Sequence, residues 1–147
     1  MAVFLFYDVR RTMTLGPRAV FVDTTVEEWL LARTTSPGVR HVVHAPSNPM
    51  GWSAGKWGEW YPDVLDRAVG ALTTAVPKPY WQDGWLSQHD RLVDAMSGMR
   101  ARTPLVVSGD LHAIGAGTMQ RSGTLNLASN PVTTVLSGPV GTSEGGF

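Results

Sequence analysis

Leu105-Val106-Val107-Ser108-Gly109-Asp110-Leu111-His112 is the stretch from which the fold can be worked outward. Three apolar residues in a row suit a short strand buried on both faces. Gly109 lets the backbone turn sharply where that strand ends. Asp110 and His112 are two residues apart, so on extended chain they point the same way and can converge on one point. A carboxylate and an imidazole so placed suit a divalent or trivalent metal ion. A loop Asp capping local amides beside an ordinary His is the alternative from these residues alone.

Working upstream, residues 40–44 (Arg-His-Val-Val-His) read as another strand, with His44 at its end ahead of Ala45-Pro46. A ring there would stand above the sheet, where it could hold a ligand or contact phosphate. The competing reading is a partly buried His bonded to a nearby carbonyl. Residues 2–7 form a nearly wholly apolar first strand that ends in Asp8-Val9-Arg10-Arg11. Asp8 and Arg10 share one side, and Arg suits two-pronged phosphate contact. A surface salt bridge would explain the pair equally well.

Between these strands, residues 19–22 give a second brief apolar run, which reads as a short strand. Asp23 or Thr24 then caps a helix over 26–33, with Val26, Trp29 and Leu30 on one face. Residues 45–58 form a loop, and its Trp-rich end, including Trp57, could wall a pocket or pack over the sheet. A helix is expected over 60–75, with Pro62 in its first turn. Residues 83–101 have the clearest helical period, in which His89 lies on the apolar face and reads as a satisfied core residue. The Gly-, Ser- and Thr-rich last third, from 113 on, should form short antiparallel strands, including 132–136. The order of elements is α/β or α+β in character.

Composition narrows the function classes. The 147 residues carry 12 Lys+Arg against 12 Asp+Glu, so no basic surplus exists to neutralise a phosphate backbone. Nucleic-acid binding as the main role is disfavoured. With no Cys, disulfides, thiolate metal sites and a Cys nucleophile are excluded. No apolar run reaches the roughly 20 residues of a membrane span. The first residues lack the basic lead and cleavage site of a signal peptide, so a strand is the better reading there; the compartment is left open, cytoplasmic only for the chain as it stands. Ser108 lies too near Asp110 and His112 for the spread of a Ser-His-Asp triad, which leaves a serine-type hydrolase as a weak alternative.

Taken in order, these stretches resemble a known family. An apolar strand ending in His44-Ala45-Pro46, a helix, then a strand ending in Gly109-Asp110-Leu111-His112 is similar to the last two motifs of the calcineurin-like metallophosphoesterases. The Asp in the later motif resembles the PhoD-like (alkaline phosphatase D) branch. Tyr7-Asp8-Val9-Arg10-Arg11, Glu27-Glu28-Trp29-Leu30 and residues 131–138 complete the likeness. The block 52–63 resembles a bacterial subgroup.

The resemblance implies a phosphoric ester hydrolase with a two-metal centre in a four-layer α/β/β/α sandwich, and a phosphate ester as substrate. It implies Asp110, His112 and His44 as metal ligands, and His44, His112 and Arg10 as catalytic groups. Arg10, Asp8 and Trp57 would meet the substrate. Iron and calcium are the implied ions, with manganese or zinc as alternatives. The family's early motifs (Asp-x-His or Asp-x-Cys, Gly-Asp, Gly-Asn-His or Gly-Asn-Asp), which supply most ligands, are absent. The chain therefore reads as a single C-terminal portion of such a domain, either active as part of a longer product or a non-catalytic, phosphate-binding remnant. Relatives are often exported behind a twin-arginine signal, but Arg10-Arg11 follows an apolar strand instead of leading one.

Overall fold

The computed structural model describes residues 2–9, 11–14, 18–50, 52–54, 60–62, 65–66, 71–72, 83–99, 101–109 and 114–138. In chain order the strand β1 (Ala2–Tyr7) is followed by helix α1 (Thr24–Thr34) and strand β2 (His41–Pro46). Four short strands come next: β3 (Trp52–Ala54), β4 (Trp60–Pro62), β5 (Leu65–Asp66) and β6 (Ala71–Leu72). Helix α2 (Asp83–Ser97) leads to β7 (Leu105–Ser108) and β8 (Gly115–Met119). The chain then forms β9 (Arg121–Ser122), β10 (Leu125–Asn126) and β11 (Val132–Leu136).

Five strands make the main sheet in the order β1-β2-β7-β11-β8. The first four run parallel, and β8 closes one side antiparallel to β11. The mixed α/β class expected from the sequence is thus the observed one. β9 with β10, β3 with β4 and β5 with β6 are separate antiparallel pairs.

Register gives the sheet two distinct faces. Leu5, His44, Val106 and Thr134 lie side by side on neighbouring strands. This row and its period-2 neighbours Val42, Val132, Leu136 and Met119 are buried. Leu30 of α1 and Leu92, Val93 and Met96 of α2 pack into the same core, so both helices cover this face. Phe4 and Phe6 point to the other face and remain 57% and 75% exposed.

Three expectations need correction. Residues 60–75 contain strand segments instead of a helix, at β4, β5 and β6. Ala19, Phe21 and Val22 are buried but residues 19–22 are irregular: the amides of Phe21 and Val22 are satisfied by Gln88 Oε1 at 2.6 and 3.1 Å. A side chain has replaced a ladder partner there. The helix expected to reach 101 stops at Ser97, with Gly98 and Met99 closing its last turn through Asp94 and Met96 carbonyls.

α1 begins as the sequence indicates, Asp23 accepting from the Thr25 amide at 2.9 Å. Its buried face, however, is Glu27, Leu30 and Thr34, while Trp29 is 44% exposed. Glu27 is drawn inward by partners on α2. Arg91 reaches it with two bonds of 2.6 and 3.1 Å, and Gln88 donates a third at 2.8 Å. Burial raises the carboxyl's pKa, but the bonds from Arg91 and Gln88 outweigh it and hold the group below its ordinary value.

Candidate active site

In a parallel sheet all strands end at one edge, and ligands of open α/β folds sit in the crevice outside those carboxyl ends. Here that edge gathers Asp8 after β1, Ser47 after β2 and Gly109 after β7. Ser47 ties the first two ends together. Its amide donates to the Tyr7 carbonyl at 3.0 Å, and its hydroxyl donates to Asp8 Oδ1 at 2.9 Å. The same hydroxyl accepts the Val9 amide, also at 2.9 Å.

A recess of about 410 Å³ lies here, lined by Phe6, Tyr7, Asp8, Ala45, Pro46 and Ser47. A second hollow of about 570 Å³ shares Phe6, Tyr7 and Asp8 and extends to Arg11, Asp23 and Trp29. Asp8 therefore lines both hollows at the end of β1. Arg10, Trp57, Asp110 and His112 lie outside the described residues.

His44 departs from its expected position above the sheet. It is the fourth of six residues in β2, turned to the helix-covered face and fully buried. Nε2 is 2.8 Å from Thr34 Oγ1, and Nδ1 is 3.3 Å from the Tyr7 hydroxyl. Thr34 gives its own hydroxyl hydrogen to the Leu30 carbonyl at 2.7 Å, so Nε2 carries the ring proton and donates to Thr34. Nδ1 is left to accept from Tyr7, whose hydroxyl also lies 3.0 Å from Met50 Sδ. Burial lowers the His44 pKa to about 4 and pushes the Tyr7 phenol upward, so both are neutral at pH 7. An ion on either ring nitrogen would displace Tyr7 or Thr34, which makes this ring an interior support of the strand.

Ser108 is turned to the same buried face, and its hydroxyl has no hydrogen-bond partner among the described residues. That position does not present it to a substrate. His89 is a core residue as expected, with Nδ1 3.0 Å from Asp90 Oδ1. Among the described residues no three His, Asp or Glu are grouped to hold an ion. None of their helices is long and apolar enough to cross a membrane.

Thr34 and Ser47 were not singled out by the sequence, and Tyr7 entered only as the start of the stretch 7–11. Ser47-Asn48-Pro49 carries a turn signal that points to Ser47. Nothing local marks Thr34, whose partner is ten residues on.

Sheet order and strand-end recess together define an α/β domain with its crevice at the carboxyl edge of a mostly parallel sheet. No family model and no curated protein matches the chain. Among solved structures, "Structure of PhoD" superposes with a TM-score of 0.59 at 15% identity. The match covers 94% of this chain and 27% of that one, so this chain spans about a quarter of that protein's length. The likeness is one of fold: the chain has a PhoD-like α/β arrangement.

Proposed function

We propose that this chain is the C-terminal portion of a metal-dependent phosphoric ester hydrolase of PhoD type. The observation that carries the reading is the convergence of the β1, β2 and β7 ends on one edge of a PhoD-like sheet. The strand β7 and Gly109 lead directly into Asp110-Leu111-His112. In this reading Asp110 and His112 hold metal, and Asp8 and Arg10 face the phosphate beside Trp57. His44 acts from beneath, holding the ends of β1 and α1 in place through Tyr7 and Thr34. Paired cations lower the pKa of bound water and polarise the phosphoryl oxygen. Iron with calcium is the pair we favour, and the remaining ligands would come from a longer product.

The inward turn of His44 favours a second reading, a phosphate-binding remnant without turnover, because it removes one expected ligand from the edge. The two separate in one experiment. The chain is assayed against a chromogenic phosphodiester with added iron, calcium, manganese or zinc, alongside elemental analysis of retained metal. Weak metal-dependent hydrolysis, as an incomplete ligand set allows, that is lost in an Asp110→Asn/His112→Ala double variant is the expected outcome. Hydrolysis that survives both substitutions overturns the proposal. Phosphate binding with no turnover selects the remnant.

A further inference from the structure

The amino-terminal edge of the main sheet, opposite the candidate active site, holds a hollow of about 560 Å³ where β2, β7 and β11 begin. Its walls include Arg40, His41, Arg102, Thr103, Leu105 and Thr133. The length of β2, six residues, separates it from Ser47 at the other edge. Charge in the hollow is one-sided: two guanidinium groups and an imidazole line it, and no carboxylate does. Among the described residues neither arginine forms an ion pair.

Arg102 carries the argument furthest. Its Nη1 is shut away from the surface with no hydrogen-bond partner among the described residues. Buried donors are ordinarily paired, and leaving one unpaired costs most when the group is charged. An arginine partly sunk in protein without an anion of its own is stabilised by one that joins it. The loop that presents it is already fixed. Asn130 Nδ2 donates to the carbonyls of Ser97, Met99 and Arg102 at 3.0, 3.1 and 3.0 Å. The Arg102 amide donates to the Met99 carbonyl at 2.7 Å, and the Thr133 amide to the Pro104 carbonyl at 2.9 Å. Walls held together in this way need little ordering when a ligand binds.

We propose that this hollow is an anion site that takes the phosphate group of a small molecule. Two guanidinium groups match the two negative charges of a phosphate, and each can meet it with a fork of N–H donors. A monocarboxylate would leave one of them unanswered. The hydroxyls of Thr103 and Thr133 are further donors in the same walls. The volume lies within the range of small-molecule sites, about 300–1,000 Å³, and Leu105 gives an organic group apolar surface to lie on. A cleft lined by one sign of charge also draws in its counter-ion. This site lies apart from the carboxyl edge and does not rest on the hydrolase reading.

Nuclear magnetic resonance of the 147-residue chain, titrated with inorganic phosphate in the presence of a chelator, tests this. Saturable shifts are expected at the amides of residues 40, 41, 101–103 and 133, weakening as salt is raised. Acetate should bind there at least about tenfold more weakly. Phenyl phosphate should bind more tightly than inorganic phosphate. Arg40→Gln with Arg102→Gln should weaken phosphate binding about tenfold or more at this edge and leave any shifts at Asp8, Ser47 and Gly109 as they were. Circular dichroism checks that the fold is kept. If the double variant does not fold, Arg40→Gln alone, at an exposed position, reads the same contact. Shifts confined to the carboxyl edge, or no saturable shift, overturn the proposal. So does affinity indifferent to the arginines, acetate binding as tightly as phosphate, or phenyl phosphate binding no tighter.

Discussion

Removing water from an imidazole costs most when the ring is charged, and His44 has no anionic partner to offset that cost. Its folded pKa of about 4 lies below the ordinary 6.5. Between these values the unfolded chain binds the extra proton and the folded chain does not. Stability from this residue is therefore complete above pH 6.5 and is lost as pH falls towards 4, on the order of 3 kcal/mol in all. Urea unfolding at a series of pH values should show that slope, and His44→Gln should flatten it. The direction in which His44 points could not be read from the sequence, because Val42 and Val43 are both apolar. Alternation has no phase in a strand that is apolar on both sides. Asp8 was legible for the opposite reason: a charge directly after an apolar run marks where the strand leaves the sheet.

At the scale of elements, starts and stops were more legible than buried faces. Asp23 is a capping residue ahead of a helical pattern, and α1 begins where it indicates. Its buried face was misread because Glu27, a charged residue, is drawn in by Gln88 and Arg91, 61 and 64 residues away. Residues 19–22 resemble a strand in composition, yet a single side chain satisfies their backbone. Gln88→Leu should consequently remove the bonds made to the Phe21 and Val22 amides and the Val22 carbonyl. A loss of about 3 kcal/mol or more is expected in chemical unfolding. α2 also abuts this segment at Gly84, where an added methyl group would overlap the Ala19 carbonyl. Gly84→Ala is expected to cost about 1–3 kcal/mol despite the better helix propensity of Ala, read by the same measurement.

For the whole molecule, the class of fold followed from apolar strands separated by helices, whereas strand order did not. That β11 inserts between β7 and β8 depends on pairings across the chain that no local pattern states. The order has a measurable counterpart. β7 lies at the centre of the sheet with a parallel neighbour on each side, while β1 and β8 lie outermost. Native-state hydrogen exchange in dilute protein should therefore be slowest at Val106 and its neighbours in β2 and β11. Amides of β1 should exchange sooner.

The grip of Gln88 on residues 21 and 22 bears on the order in which the chain can assemble. Those residues lie 66 and 67 positions before their partner. During synthesis the segment after β1 is complete long before the glutamine that satisfies it has been made. Until α2 arrives, the Phe21 and Val22 amides remain bonded to water and their side chains cannot settle in the interior. Residues 21 and 22 thus wait on α2, and docking of α2 should be the event that lets them close onto the interior.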